Sequence, residues 1–177
     1  MNWKRLRKAG VAALAFALIF SLLPAVAFAD AVVGETVVTL GADLTPQQRD
    51  AILKEMNVDR NVQIVEVTNE EEHRYLGKYV SKATIGTRAL SSAKITLAEK
   101  GAGITVKTNN ITHITETMYA NALITAGVKD AEVYVTAPTQ VSGTAGLTGI
   151  LKAFETATDT KISDEQKEVA NEEMVRT

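Results

Sequence analysis

The chain has 177 residues, with 19 Lys and Arg against 21 Asp and Glu for a formal charge of −2, and it contains no Cys. This length corresponds to about one domain and is enough to bury a hydrophobic core. The missing Cys excludes disulfides and an acylated cysteine anchor, and the acidic balance disfavours bulk attraction to nucleic acid or polyanionic wall polymers.

The first 29 residues have the three-part layout of a cleavable signal peptide. An apolar run over residues 11–23 precedes the small-residue pattern Ala27-x-Ala29, and it follows four basic residues: Lys4, Arg5, Arg7 and Lys8. The run is shorter than the roughly 20 residues that a helix needs to span a bilayer. We therefore expect cleavage after Ala29, a secreted or cell-envelope location, and no membrane span afterwards. An uncleaved anchor is the alternative.

Cleavage would leave residues 30–177, in which 15 Lys and Arg face 21 Asp and Glu, a formal charge of −6. The only Trp and three of the four Phe lie in the predicted signal. Sugar-binding and base-binding surfaces usually stack their ligands on aromatic side chains. These counts disfavour a carbohydrate-binding module and a nucleic-acid partner, and we expect a single domain over residues 30–177.

Strands and helices alternate along the first half of this domain. The sequence predicts a strand over residues 32–40, a helix over 46–56, a strand over 62–67 and a short helix over 68–77. Thr45 and Thr68 supply the N-caps of the two helices, because each is followed three residues later by Gln or Glu. Residues 79–88 are ambiguous, although Thr84, Ile85 and Thr87 favour a strand.

The second half continues with strands over residues 89–97 and 104–108, joined by the glycine-rich segment 100–103 as a hairpin. A helix over 111–126 and a strand over 133–135, closed by Pro138, follow. Two further helices are predicted over 143–157, capped by Ser142, and over 163–175, capped by Ser163 and with a weak apolar stripe. The expected fold class is α/β, a mixed sheet flanked by helices, with one βαβ unit over residues 104–135.

Four motifs carry a resemblance to a known family: residues 86–92 (GTRALSS), 110–112 (NIT), 118–127 (MYANALITAG) and 141–145 (VSGTA). Over about residues 35–175 the chain is similar to the YpuA-like family of exported proteins of unknown function from spore-forming and related Gram-positive bacteria. The resemblance implies an extracytoplasmic protein and no particular activity. His113 stands where the family is expected to carry Trp, and Gly146 where Ala is usual. The family continues helically past Thr177, so we expect a short or truncated member.

The best candidate for a binding site is the strand-to-helix segment Ser142-Gly143-Thr144. A helix N-terminus offers free N–H groups and partial positive charge, and glycine lets an anion approach closely. Arg88 can add a forked cationic contact, and the amide of Asn110 can add to a binding edge. The alternative interpretation is that Ser142 only caps a helix whose glycines pack closely on the sheet, because no known phosphate fingerprint is matched.

The segment 91–94 (SSAK) matches the serine-x-x-lysine pattern of penicillin-recognising enzymes. In those enzymes the motif begins a helix, whereas here it lies in a predicted strand, where positions three apart point to opposite faces. The companion Lys-Thr-Gly motif is also missing, since Lys107-Thr108 is followed by Asn109. The sequence therefore disfavours a serine acyltransferase.

A metal site is disfavoured as well. Glu70 and His73 share a predicted helical face, but the chain has only two His and no Cys, and acidic residues in a first helical turn are explained by the helix dipole. His113, near a predicted helix start, fits a surface position better than a catalytic triad. We expect no metal, no cofactor and no catalytic residue.

The sequence thus indicates a non-catalytic binding or envelope-associated module for a small anionic group or an envelope component, with partners otherwise unknown. One alternative is a hydrolase or transferase acting on cell-envelope material, with polar residues converging from Arg88, Asn110 and Ser142. Another is a protein-interaction domain that exposes an apolar patch beside the helix over residues 163–175.

Overall fold

The computed structural model describes residues 33–59 and 61–176, which belong to one compact unit. The predicted signal peptide, residues 1–29, lies outside the described residues. In chain order the elements are β1 Thr36–Gly41, α1 Pro46–Glu55, β2 Gln63–Val67, α2 Asn69–Leu76, α3 Lys82–Ile85, β3 Ser92–Leu97, β4 Ile104–Ile111, α4 Glu116–Thr125, β5 Ala131–Val141, α5 Thr144–Thr158 and α6 Asp164–Arg176.

The strands form one mixed sheet in the order β2-β1-β3-β5-β4. β1 is parallel to β2 and β4 is parallel to β5, while β3 runs antiparallel to β1 and β5. The α/β class and the predicted βαβ unit, β4-α4-β5, are therefore confirmed. β1, α1 and β2 form a second strand-helix-strand unit with parallel strands at the other end of the sheet.

The predicted hairpin between β3 and β4 is wrong, because β5 lies between them in the sheet. The glycine-rich segment instead folds around a side chain that precedes β5. The N–H groups of Gly101 and Gly103 donate to Asp130 Oδ1 at 2.9 and 2.8 Å. The apolar residues Val133 and Val135 of β5 are buried, so burying β5 between two partners outweighs the short connection that sequence neighbours would offer.

Other predicted elements also differ in type or extent. β5 runs from Ala131 to Val141, so Pro138 lies inside the strand that it was predicted to close. Residues 79–88 contain the short helix α3, which Ser81 caps by accepting from the Thr84 N–H at 3.1 Å. β4 runs on to Ile111, which pairs with Val141 across an irregularity in register, so α4 begins only after its cap, Thr115. The pairing of Ile111 with a distant strand overrides the helical spacing of its apolar neighbours.

The two faces of the sheet are covered differently. On one face, α5 lies across β1 and β3 and closes the main core, in which Ile95, Leu147 and Ile150 are fully buried. On the other face, Ile52 and Met56 from α1 and the turn after it pack on the β1 side chains that point there. This second face is polar beyond α1, where Lys94, Thr96, Thr105, Lys107, Glu132 and Tyr134 line an open depression.

Two glycines bring α5 close to the sheet. A Cβ atom at Gly149 would lie 2.4 Å from Thr39 Oγ1, and one at Gly146 would lie 2.6 Å from Val135 Cγ1. Both distances are shorter than van der Waals contact, so a side chain at either position would push the helix outward. Close packing therefore accounts for these glycines without any ligand.

The final helix, α6, has the predicted cap and the predicted weak apolar face. Ser163 Oγ accepts from the Gln166 N–H at 3.1 Å, and Gln166 Oε1 accepts from the Ser163 N–H at 3.1 Å. Ala170 and Asn171 are buried, whereas Val169 is half exposed. No helix in the described ranges combines the length and apolar character that crossing a membrane requires.

Candidate functional site

A cleft of about 230 Å³ opens where α2, α3, the segment before β3 and the start of α5 meet. Its walls come from parts of the chain that are far apart in sequence. They are Glu72, Thr84, Ile85, Gly86, Thr87, Arg88, Leu90, Ser91, Val141, Ser142, Thr144 and Ala145. Arg88, Ser142 and Thr144, three of the residues that the sequence predicts for ligand binding, therefore face one cavity.

Arg88 lies on the rim of this cleft. Its side chain is exposed and makes no ion pair with any described residue. A guanidinium group presents five N–H donors in a planar fork and accepts nothing. Arg88 is therefore a charged group with its donors available to a ligand.

Glu72 is the residue that the sequence interpretation missed. It belongs to α2 and is only 1% exposed, yet it contributes to the wall of the cleft. Thr144 Oγ1 donates to Glu72 Oε2 at 2.5 Å, and Asn69 Nδ2 donates to Glu72 Oε1 at 3.3 Å. Burial raises the pKa of Glu72 to about 6, because these two hydrogen bonds offset only part of the cost of desolvating the charge.

A signal for Glu72 exists in the sequence. Glu72 and Leu76 are four residues apart, so they lie on the same face of α2, and Leu76 is fully buried. The helix-dipole explanation of the acidic run from Glu70 fits Glu71, which completes the capping box with Thr68. It does not fit Glu72, whose side chain points inward.

The hydroxyl groups at the start of α5 are connected to this carboxyl group. Ser142 Oγ lies 3.1 Å from Thr144 Oγ1, which in turn contacts Glu72. Ser91 Oγ accepts from the Gly146 N–H at 2.8 Å, so one N–H of the first turn is already satisfied within the protein. The start of α5 is thus a hydrogen-bonded cluster with a carboxyl group at its inner end.

The prediction that Ser142 caps α5 is wrong. Gly143 is the N-cap residue, in the left-handed conformation with φ of 100°, and it has no side chain to bond the first turn, whose Gly146 N–H bonds Ser91 instead. A Cβ atom at Gly143 would lie 2.5 Å from Tyr119 Oη and 2.6 Å from Ile111 Cγ2. Tyr119 donates to the Gly143 carbonyl oxygen at 2.7 Å. Only glycine satisfies both the backbone angle and the space, which leaves the Ser142 hydroxyl to face Thr144.

Asn110 does not line the cleft. It has φ of 59° at the irregularity between β4 and β5, and its Nδ2 donates to the Ala137 carbonyl oxygen at 2.8 Å. This bond holds the backbone of β5 where the regular ladder is interrupted. The enzyme alternative required Asn110 beside Arg88 and Ser142, and the structure brings only the last two together.

The serine and lysine of the segment 91–94 point to opposite sides of the sheet, as the strand prediction requires. Ser91 contacts α5, whereas Lys94 Nζ donates to the Met56 carbonyl oxygen beyond α1, at 2.7 Å. The two side chains cannot act on the same atom. The arrangement differs from the helical motif of the penicillin-recognising enzymes.

The acidic start of α2 has structural partners. Glu71 pairs with Lys152 of α5 at 2.7 Å, and His73 Nε2 donates to the Gly86 carbonyl oxygen at 2.9 Å. Within residues 33–59 and 61–176 there is no group of three or more His, Asp or Glu side chains with the spacing to hold a metal ion. His113 is exposed, and its backbone N–H donates to the Ser142 carbonyl oxygen at 3.3 Å.

Among the larger depressions of the described residues, the two of greatest volume are less suited to a specific ligand. One of about 850 Å³ lies beside the α5–α6 connection, where Lys152 and Lys167 are already paired with Glu71 and Glu155. The other, of about 440 Å³, lies on the polar sheet face, where Glu55 remains exposed. Neither holds a buried carboxyl group, which is a common mark of functional sites.

Comparison with known proteins agrees with the resemblance found in the sequence. Residues 40–177 match a family described as "Protein of unknown function (DUF1002)". The chain is also 55% identical over 172 residues to "Uncharacterized protein YpuA" of Bacillus subtilis (strain 168). That alignment covers 97% of this chain but 59% of the relative, so the chain spans less than two thirds of the relative's length. No solved structure matches the chain.

Proposed function

Because the chain belongs to the DUF1002 family, whose description assigns no activity, we propose a function from the cleft: an exported, non-catalytic binding module that holds a small oxyanion between Arg88 and the start of α5. The observation that carries the proposal is the meeting of Arg88, Ser142 and Thr144 in one cleft of about 230 Å³. This volume is below the roughly 300 Å³ at which pockets for drug-sized ligands begin, so it suits a small ion.

Arg88 supports an anionic ligand. Its guanidinium group lies at the mouth of the cleft without an ionic partner among the described residues. Planar N–H pairs on arginine match the geometry of carboxylate and phosphate oxygens, and such contacts are among the stronger hydrogen bonds in proteins. An oxyanion at the rim would therefore supply the partner that Arg88 lacks.

Glu72 limits how deep the anion can go. Its carboxyl group forms the inner end of the cluster and carries a negative charge above its pKa of about 6. An anion next to that group would be repelled in a poorly solvated environment. The anion therefore belongs in the outer part of the cleft, between Arg88 and Ser142, with Thr144 separating it from Glu72.

Export is supported by residues 1–29 alone, with their basic start, apolar run and Ala27-x-Ala29 pattern. The test is to express the chain with a C-terminal tag in a Gram-positive host, fractionate the cells and measure the intact mass. We expect material outside the cytoplasm that begins at Asp30. An Ala29→Arg variant should keep its leader, and cytoplasmic wild-type protein with Met1 intact would contradict the proposal.

The binding proposal is tested by thermal unfolding of the protein recovered in that experiment, in the presence of inorganic phosphate, sugar phosphates, nucleotides and small carboxylates. A ligand at a hundred times its dissociation constant adds about 2.7 kcal/mol to the free energy of unfolding. For a domain of this size that should raise the midpoint by about 5 to 10 °C. Divalent ions are included as a separate arm.

Lys129→Ala is the control for Arg88→Ala, because both variants remove one positive charge. Arg88→Ala should abolish the shift, whereas Lys129→Ala should keep it, because Lys129 is exposed and precedes β5 at the end opposite to the cleft. A cooperative transition that no anion shifts would overturn the proposal. If Lys129→Ala reduced the shift of the unfolding midpoint as much as Arg88→Ala, the overall charge of the protein and not the cleft would attract the anion.

A further inference from the structure

The cleft contains a directional chain of hydroxyl groups. A threonine or serine hydroxyl has one hydrogen to donate. Thr144 Oγ1 donates its hydrogen to Glu72 Oε2, at 2.5 Å. In its contact with Ser142, at 3.1 Å, Thr144 can then only accept, so Ser142 is the donor. The single hydrogen of Ser142 points inward, and its lone pairs face the cleft.

The cleft therefore presents donors and an acceptor at separate places. Arg88 offers N–H groups at the rim, while the half-buried Ser142 offers lone pairs. An anion without a hydrogen would satisfy Arg88 but would set its own lone pairs against those of Ser142. An anion that carries a hydroxyl hydrogen would satisfy both groups. Leaving a poorly solvated polar atom unpaired is the main source of such discrimination.

We infer that Glu72 is a specificity-determining residue, and that through Thr144 and Ser142 it makes the cleft selective for oxyanions that carry their own proton, hydrogen phosphate above all, over proton-free oxyanions such as sulfate. This inference rests on the proposed oxyanion site. Hydrogen phosphate and sulfate have the same size and charge near neutral pH, so only the proton separates them. Phosphate monoesters lose their last proton near pH 6, at about the second pKa of a phosphoryl group. Above that pH they carry no proton and should bind as weakly as sulfate.

The direction of the chain depends on the charge of Glu72. His73 beside it in α2 and Asp43 after β1 influence this charge. The other ionisable groups that face it are Tyr119 from α4 and Arg88 on the rim of the same cleft. Burial dominates over them and raises the pKa of Glu72 to about 6. Above that value Ser142 accepts from the ligand. Below it Glu72 donates to Thr144, Thr144 donates to Ser142, and Ser142 donates into the cleft.

Calorimetric titration of the purified protein with sodium phosphate and sodium sulfate at about pH 7.5 tests the inference. We expect phosphate to bind about tenfold more tightly than sulfate, the effect of one hydrogen bond. Glu72→Gln should reduce the ratio to near one by improving sulfate binding, because the glutamine amide can donate to Thr144. The same gain should occur in the wild type at about pH 5. Methyl phosphate should follow sulfate at the higher pH.

Glu70→Gln is the matched control, because Glu70 is exposed two residues earlier in α2 and lies outside the cleft. It removes the same charge and should keep the tenfold ratio. Thr144→Val keeps the Glu72 carboxyl group but breaks its link to Ser142, and it should also equalise the two anions, which covers a Glu72 variant that fails to fold. Equal binding of both anions by the wild type would overturn this inference and leave the oxyanion site standing. Binding of neither would overturn both.

Discussion

The two faces of the sheet each hold one notable glutamate, and the two behave in opposite ways. Glu72, on the face covered by α5, is buried with two donors, and burial raises its pKa to about 6. Glu55, at the end of α1 on the polar face, is exposed and its Oε1 accepts from Tyr134, Thr136 and Asn109 at 2.6, 2.8 and 3.0 Å. Burial alone would raise the pKa of Glu55, but these bonds together lower it.

The difference shows that a hydrogen-bonded carboxylate is stabilised only when its donors outweigh the loss of water. Three donors at a wet surface achieve this for Glu55, whereas two donors in a dry interior do not for Glu72. Burying the Glu72 carboxyl group costs free energy that an apolar side chain would not, and carboxyl groups with a perturbed pKa cluster at functional sites, which directs the search for function to the covered face.

The largest expected effect comes from the packing that makes the covered face dry. Gly149→Ala should lower the free energy of unfolding by about 2 kcal/mol or more, because the new Cβ atom would meet Thr39 Oγ1 at 2.4 Å and Thr39 Cβ at 2.9 Å. Urea denaturation measures the change. Thr105→Ile, which replaces an exposed hydroxyl with an ethyl group on the polar face, should stay within about 0.5 kcal/mol. Equal costs at both positions would remove the distinction between the faces.

The second effect is the dependence of stability on the charge of Glu72. Its pKa is higher in the folded chain, about 6, than its ordinary value of 4.5. The folded state therefore holds the proton more tightly, and the stability from this group is present below pH 4.5 and is lost as the pH rises through 6. The loss amounts to up to about 2 kcal/mol.

Glu72→Gln should remove this loss. We expect the variant to be more stable than the wild type at about pH 7.5 and close to it at about pH 4, by denaturation at a series of pH values. Glu70→Gln keeps the buried carboxyl group and should retain the wild-type decrease. A Glu72 variant with the same pH dependence as the wild type would show that desolvation does not dominate at this site.

The smallest expected effect is the contribution of Glu55 to stability, which changes with pH in the opposite direction to that of Glu72. The pKa of Glu55 is lowered in the folded chain, so its contribution is present above the ordinary value of 4.5 and is lost as the pH falls below it. Because Glu55 is largely exposed, Glu55→Gln should cost less than about 1 kcal/mol at neutral pH. Carboxyl carbon NMR gives the more sensitive readout, in which Tyr134→Phe should move the pKa of Glu55 back up. If the pKa of Glu55 were the same in Tyr134→Phe as in the wild type, the hydrogen bond from Tyr134 would not be a cause of the lowered pKa.

Three of the four predicted helix caps are confirmed, and the fourth, Ser142, is wrong because Gly143 is the N-cap residue. Thr45, Thr68 and Ser163 each bond the N–H group three residues on, as predicted, because a cap involves atoms that are close in sequence. The hairpin failed for the complementary reason. Strand order depends on which apolar faces meet across the whole domain, and β5 displaced β4 from the neighbour that loop length alone had suggested.

The candidate site also has features that local sequence predicts and features that only the tertiary structure sets. Composition and local pattern determined the α/β class, the limits of most helices and the polar segment Ser142-Gly143-Thr144, because each of these follows from residues within one or two turns of one another. Only the tertiary structure decided that Arg88 joins this segment, that Asn110 does not, and that Glu72 stands behind Thr144. Burial and long-range hydrogen bonding set the chemistry of a buried group, and neither is a property of its own stretch of sequence.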